Sequence, residues 1–175
     1  MDLKKTIKSI KDYPAPGITF RDVTTLLKDE KAYKESVDEM VKISRKYNPD
    51  KIVGIEARGF IFGAAVAYEL GCGFIPVRKT GKLPRETYKK SYSLEYGENQ
   101  IEIHKDAFEK DEKVLIIDDL LATGGTSKAC AELIKQVGAK VEALIFLIEL
   151  VELGGRDILE GYKVESLVEF TEDEE

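Results

Sequence analysis

This sequence predicts an α/β fold: a parallel sheet with helices packed on both of its faces. Three observations carry that prediction. Apolar runs at 51–55, 73–77, 114–117 and 141–150 are continuous rather than alternating, as strands are when both sheet faces are covered. Stretches of helical periodicity stand between several of them, at 33–47, 60–70 and 129–137. The runs ending at Ile55, Val77 and Ile117 each lead into a turn containing glycine and charge, which is where ligands meet such a sheet.

A chain of 175 residues suits one domain, here 1–175, with enough length for a substantial core. Its 27 basic and 33 acidic residues give a net charge of −6. That balance, with no basic cluster on a recognition helix, argues against a nucleic-acid partner. Cys72 and Cys130 have neither metal spacing nor a paired framework, and both read as reduced thiols. The first residues lack the apolar stretch of a signal peptide, and 60–70 is too short to span a bilayer. The expectation is a cytoplasmic protein with no membrane role.

Taken in order, Leu3, Ile7 and Ile10 are spaced for one face of a short helix. Tyr13-Pro14-Ala15-Pro16-Gly17 interrupts it and fixes a rigid, non-helical segment that leads into 18–22. Tyr33, Val37, Met40, Val41 and Tyr47 mark an amphipathic helix ended by Asn48-Pro49. A buried strand at 51–55 exits through Glu56, Ala57, Arg58 and Gly59 into the helix at 60–70. Arg58 at that exit could hold a diphosphate through its planar fork of donors, or form only a surface salt bridge.

The strand at 73–77 leads into Arg78-Lys79-Thr80-Gly81-Lys82-Leu83-Pro84-Arg85, the densest positive charge in the chain. A loop of this composition suits a mobile anion clamp. Residues 88–94 and 100–103 bracket the polar turn 95–99, a hairpin flap of about 79–103 in all. His104 reads as structural. After the helix that Gly138 stops, 141–150 is a long apolar strand, 154–159 a short helical turn, and 162–170 an edge strand.

The stretch 114–126 carries the chemistry. Its apolar run meets Asp118 and Asp119, then Leu120, then the small-residue turn Ala122-Thr123-Gly124-Gly125-Thr126, then a helix. Two glycines permit close backbone approach, two hydroxyls donate, and the first N–H groups of a helix lack partners, so the turn suits a phosphate. It is neither a P-loop nor a dinucleotide fingerprint, since the required lysine and glycine spacings are missing. Two adjacent carboxylates suit the vicinal hydroxyls of a ribose and can stabilise a cationic sugar. These parts together describe a ribose 5-phosphate pocket. The same residues could also form an ordinary strand-turn-helix with an acidic surface pair.

The segment 114–127 resembles the phosphoribosyl-pyrophosphate signature of the type I phosphoribosyltransferase family, and D-D-L-L-A-T-G-G-T is most similar to its adenine-using branch. Four further segments match in the family's order: the Gly17–Asp22 stretch, E-A-R-G-F, R-K-x-G-K-L-P and S-L-E-Y-G. The resemblance covers nearly the whole chain, from Tyr13 to about Phe170. It implies a small N-terminal hood of about residues 1–25 over the base, with backbone around Thr19 and Arg21 reading the adenine edge. Phe20 and Leu120 would sandwich the purine.

By the same resemblance Glu56, Ala57, Arg58, Arg78, Lys79 and Lys82 bind pyrophosphate, and a cis peptide joins Glu56 to Ala57. Asp118 and Asp119 hold the ribose, and 122–126 hold its 5′-phosphate. Glu95 handles the purine proton, and Tyr96 in the flap shields the site from water. The implied reaction joins adenine to 5-phosphoribosyl 1-pyrophosphate, giving AMP and pyrophosphate. Magnesium is the implied cofactor, held mainly by substrate oxygens and water rather than by the protein, and a homodimer is the implied assembly. A relative that uses another base, or a non-catalytic sensor of the same sugar phosphate, would share the signature.

Overall fold

The structure, a computed structural model, describes residues 1–94 and 97–174. A 3-10 turn at Leu3–Thr6 precedes β1 (Lys8–Ile10), β2 (Phe20–Asp22), α1 (Thr24–Leu27) and α2 (Glu30–Arg45). Then come β3 (Lys51–Ile55), α3 (Arg58–Leu70), β4 (Gly73–Lys79), β5 (Thr87–Leu94) and β6 (Gly97–His104). The remainder is β7 (Lys113–Leu121), α4 (Gly125–Val137), β8 (Lys140–Leu150), α5 (Gly155–Ile158) and β9 (Val164–Phe170).

Seven strands form one sheet in the order β5-β6-β4-β3-β7-β8-β9. From β4 to β9 neighbouring strands run parallel, as the continuous apolar runs predict. The β5–β6 hairpin is antiparallel and joins through Arg78↔Glu102 and Lys79↔Ile101. Strand alternation divides the core into two. Leu115, Ile117, Ala143 and Ile145 share one cluster with Met40 of α2 and Phe62 of α3. Val114, Ile116, Leu144 and Phe146 share the other with Leu133 and Ile134 of α4. All of these side chains are fully buried. Burial of this kind contributes roughly 1.5–3 kcal/mol for each large side chain, so both sheet faces drive the fold.

Local signals set the helix ends. The Asp29 carboxylate accepts hydrogen bonds from the Lys31 and Ala32 N–H groups, each at 3.0 Å, and so caps α2. Gly138 closes α4 at φ +111°, a conformation that favours glycine.

Four expectations are corrected. No continuous helix joins Leu3, Ile7 and Ile10: only Leu3–Thr6 is helical, and β1 pairs antiparallel with β2, Ile10 opposite Phe20. Spacing alone could not reveal the returning strand that satisfies these backbone groups. Strand β7 continues through both aspartates to Leu121, because β8 pairs with it as far as Leu121↔Glu149. Strand β4 takes in Arg78 and Lys79, which the β6 pairing holds extended. Helix α3 starts at Arg58, two residues before its apolar stretch.

Candidate active site

A cavity of about 550 Å3 opens at the carboxyl ends of β3 and β7. Four groups of residues line it: the end of β3 with its turn, Lys79 at the end of β4, the end of β7 with the turn that follows, and part of the β5–β6 hairpin.

The turn after β7 forms its floor. Ala122, Thr123, Gly124, Gly125 and Thr126 all line the cavity. Gly124 adopts φ +87°, which lets the chain turn from the strand into α4 without a Cβ in the way. Among the described residues no side chain caps α4, so the first N–H groups of this 13-residue helix remain available to an anion.

Asp118 and Asp119 sit above that turn. Asp119 is 5% exposed, and its Oδ2 lies 2.6 Å from Arg58 Nε. Asp118 Oδ1 accepts the Asp119 N–H at 2.9 Å. Burial raises the Asp118 carboxyl well above the ordinary carboxylate range, and the Asp119 charge adds to the rise. The Asp119 N–H and the Arg58 guanidinium oppose it. Gly59 is what allows this carboxylate so close to α3: a Cβ there would stand 2.8 Å from Asp118 Oδ1.

Glu56, Ala57 and Arg58 line the cavity, and the Glu56–Ala57 peptide is cis. Glu56 Oε1 accepts from Arg78 Nε at 3.0 Å, which ties this turn to β4. Lys79 lines the cavity; Arg78 and Lys82 are not part of its lining, and the exposed Lys82 offers its carbonyl to Arg78 Nη1 at 3.4 Å.

The hood residues lie apart from this lining. Phe20 packs edge-to-face on Tyr13, centroids 5.3 Å apart. The Arg21 side chain turns toward the segment after β9, bonding the Ser9 hydroxyl and, at 2.8 Å, the Glu174 carbonyl, with Phe170 below it. Thr19 is partly buried just before β2. Leu120 does line the cavity. Glu95 and Tyr96 fall outside the described residues.

Sequence reasoning passed over Tyr92 and Asn99, cross-strand partners that both line the cavity. Their signal was available, since a hairpin of two eight-residue strands puts alternate residues of both on one face.

A mostly parallel sheet that brings a glycine- and hydroxyl-bearing turn, paired carboxylates and an arginine to one cavity is the arrangement expected of a class of sugar-phosphate transferase. A phosphoribosyl transferase domain matches residues 22–162, and the chain belongs to the phosphoribosyltransferase family. It is 54% identical over 170 residues to the adenine phosphoribosyltransferase of Desulfitobacterium hafniense, covering 97% of this chain and 98% of that protein. The adenine phosphoribosyltransferase of Clostridium perfringens is 55% identical over 170 residues, covering 97% and 99%. Among solved structures, adenine phosphoribosyltransferase from Thermoanaerobacter pseudethanolicus superposes with a TM-score of 0.93 at 50% identity, covering 97% of this chain and 98% of that one. The Saccharomyces cerevisiae adenine phosphoribosyltransferase, complexed with an imino-altritol bisphosphate and adenine, gives 0.88 at 37% identity over 93% and 94%.

Proposed function

We propose that this chain transfers the 5-phosphoribosyl group from 5-phosphoribosyl 1-pyrophosphate to N9 of adenine, producing AMP and pyrophosphate. The observation that carries this reading is the meeting of the 122–126 turn, both aspartates and Arg58 in one cavity, in a chain whose relatives of more than 50% identity are named for that reaction.

The 5′-phosphate sits on the N–H groups that open α4, with Thr123 and Thr126 donating. Asp118 and Asp119 accept from the ribose hydroxyls and stabilise positive charge as the sugar separates from its leaving group. Arg58 and Lys79 meet the pyrophosphate; Glu56, Ala57, Arg78 and Lys82 shape and charge its loop. Backbone around Thr19 and Arg21 reads the base, Phe20 and Leu120 hold its faces, Glu95 moves the purine proton, and Tyr96 excludes water.

The oxygen donors here, two carboxylates and two hydroxyls, suit magnesium. The ion would be held mainly by substrate oxygens and water rather than by the protein, with the Asp118 and Asp119 carboxylates facing the ribose that helps to hold it. Bound there, magnesium would supply neutralising charge for the diphosphate leaving group. We further propose that the chain works as one domain over 1–175, as a homodimer in the cytoplasm. No helix among the described residues is long and apolar enough to cross a membrane.

Purified protein incubated with 5-phosphoribosyl 1-pyrophosphate, magnesium and a panel of bases tests the reading. AMP formation with adenine as the preferred base is the expected result. Preference for hypoxanthine, xanthine or orotate overturns the base assignment, and turnover of none overturns catalysis. Sedimentation of the same sample tests the dimer.

A further inference from the structure

A second ionic cluster lies behind the phosphate turn, outside the cavity. Glu149, near the end of β8, stands in register beside Leu121, the residue before the turn. Its carboxylate accepts from Arg156 Nε at 2.8 and 3.0 Å and from Arg156 Nη2 at 2.9 Å. Ser166 of β9 donates its hydroxyl to the same carboxylate at 2.8 Å, and Arg156 Nη1 donates to the Val164 carbonyl at 2.8 Å. Arg156 therefore ties α5 to the ends of two strands at once.

Helix α5 in turn presses on the outside of the phosphate turn. A Cβ on Gly155 would stand 2.6 Å from the Ala122 carbonyl oxygen and 2.7 Å from Leu121 Cδ1. A Cβ on Gly124 would stand 2.8 Å from Ile158 Cγ2 and 2.9 Å from the Gly155 carbonyl oxygen. Four helical residues cannot hold their own position. Leu159, fully buried, anchors one end of this segment, and the Arg156 fork anchors its first turn.

Burial by itself would raise the Glu149 carboxyl. The Arg156 and Ser166 hydrogen bonds and the Arg156 charge outweigh burial and hold it below the ordinary range. The Glu149 side chain is 5% exposed and that of Arg156 45%. A carboxylate so enclosed is costly to leave unpaired, and a bidentate fork fixes orientation as well as charge.

We propose that Arg156, clamped by Glu149 and Ser166, is a positioning residue for the 5′-phosphate: it holds α5 against the back of Ala122 and Gly124 and so sets the geometry of the turn. The inference rests on the reading of 122–126 as the phosphate site, but not on which base is used. Arg156 touches no substrate. Its loss loosens the phosphate turn while leaving Arg58, Lys79 and the hood in place.

Titration of the whole protein with ribose 5-phosphate, followed by calorimetry, tests this without any base. Arg156→Met is expected to weaken ribose 5-phosphate binding by about 10- to 100-fold, the scale of losing one well-placed hydrogen bond to a charged group. KM for 5-phosphoribosyl 1-pyrophosphate should rise with it, while KM for adenine stays near wild type. Arg156→Lys should recover only part of the loss, since an ammonium cannot reproduce the fork. Ser166→Ala keeps the ion pair and should shift ribose 5-phosphate binding in the same direction by a smaller factor, which keeps the test open if Arg156→Met does not fold.

Unchanged ribose 5-phosphate affinity in a folded Arg156→Met protein, or an equal rise in both KM values, overturns the proposal. In the event that Arg156→Met does not fold, unchanged affinity in Ser166→Ala overturns it as well. Wild-type protein that binds ribose 5-phosphate but does not turn over adenine would overturn the function and leave this inference standing.

Discussion

Arg58 and Asp119 form an ion pair at the cavity mouth, Nε to Oδ2 at 2.6 Å, with the Arg58 side chain 47% exposed and that of Asp119 7%. The guanidinium belongs to the first turn of α3 and the carboxylate to β7, so the pair joins the proposed pyrophosphate and ribose halves of the site. Asp119→Asn keeps a hydrogen-bonding group but removes the charge proposed to face a cationic sugar. Turnover should fall by about 10²–10³-fold, the usual loss when one preorganised electrostatic contact is removed. Steady-state assays of this variant, of Arg58→Met and of the double variant check it. If the two act as a unit, the double variant loses less than the product of the single losses. Independent, multiplying losses would show that they act separately.

The raised Asp118 carboxyl has a stability consequence with a definite sign. In the unfolded chain an aspartate ionises near pH ~3.9; in the folded protein Asp118 ionises only at higher pH. Between those two points the unfolded state binds fewer protons, so this group lowers stability as pH rises through the window and costs a constant amount above it. Asp118→Asn removes the effect. The variant should therefore gain on the wild type as pH increases from about 4, measured by urea unfolding at a series of pH values. A stability difference that does not change with pH would show that burial and the Asp119 charge do not raise the Asp118 carboxyl.

Much of this arrangement was legible in the sequence. Continuous apolar runs at 51–55, 114–117 and 141–150 are strands with both faces covered, and Gly138 stops α4 where it was placed. The strand ends were less legible. Asp118, Asp119, Leu120 and Leu121 stay extended because β8 pairs alongside them, and a partner strand leaves no mark on local hydropathy. The same applies to β1, whose helical spacing yields to pairing with β2. Within the site, the cavity-lining turn at 122–126 could be read because its residues are contiguous. Tyr92 and Asn99 come from two strands that meet only in the hairpin, and Arg156 acts through Glu149, seven positions away in the chain.

Gly59 offers a test of packing at the site. A Cβ there would lie 2.8 Å from Asp118 Oδ1 and 3.1 Å from the Ile117 carbonyl oxygen, one a site carboxylate and the other backbone. Gly59→Ala forces α3 and β7 apart, at about 1–3 kcal/mol for overpacking of this kind. For a domain of this size each kcal/mol lowers Tm by about 2–4 °C. Turnover should fall as well, because the displaced group is Asp118. Gly73→Ala is the comparison: the three atoms nearest its Cβ would all belong to the Lys51 stem, at 3.5 Å or more, and it should leave Tm and turnover near wild type. Equal behaviour of the two variants in a thermal melt would remove steric contact as the reason for glycine at 59.

Glu95 carries the proposed proton transfer and lies outside the described residues, so its case rests on the S-L-E-Y-G match and on its position in the chain between Tyr92 and Asn99, both of which line the cavity. Departure of pyrophosphate and attack by the base are separable: the first needs the carboxylates and cations around the sugar, the second needs a group that manages the purine proton. Glu95→Gln keeps size and polarity but cannot exchange a proton at neutral pH. Turnover should fall by about 10²–10⁴-fold, the range for losing a general acid or base, while the dissociation constant for 5-phosphoribosyl 1-pyrophosphate stays close to wild type. Steady-state kinetics paired with calorimetric binding separates the two quantities. Turnover that survives the substitution takes Glu95 out of the mechanism; loss of substrate binding together with turnover assigns it to holding the sugar phosphate instead of the base.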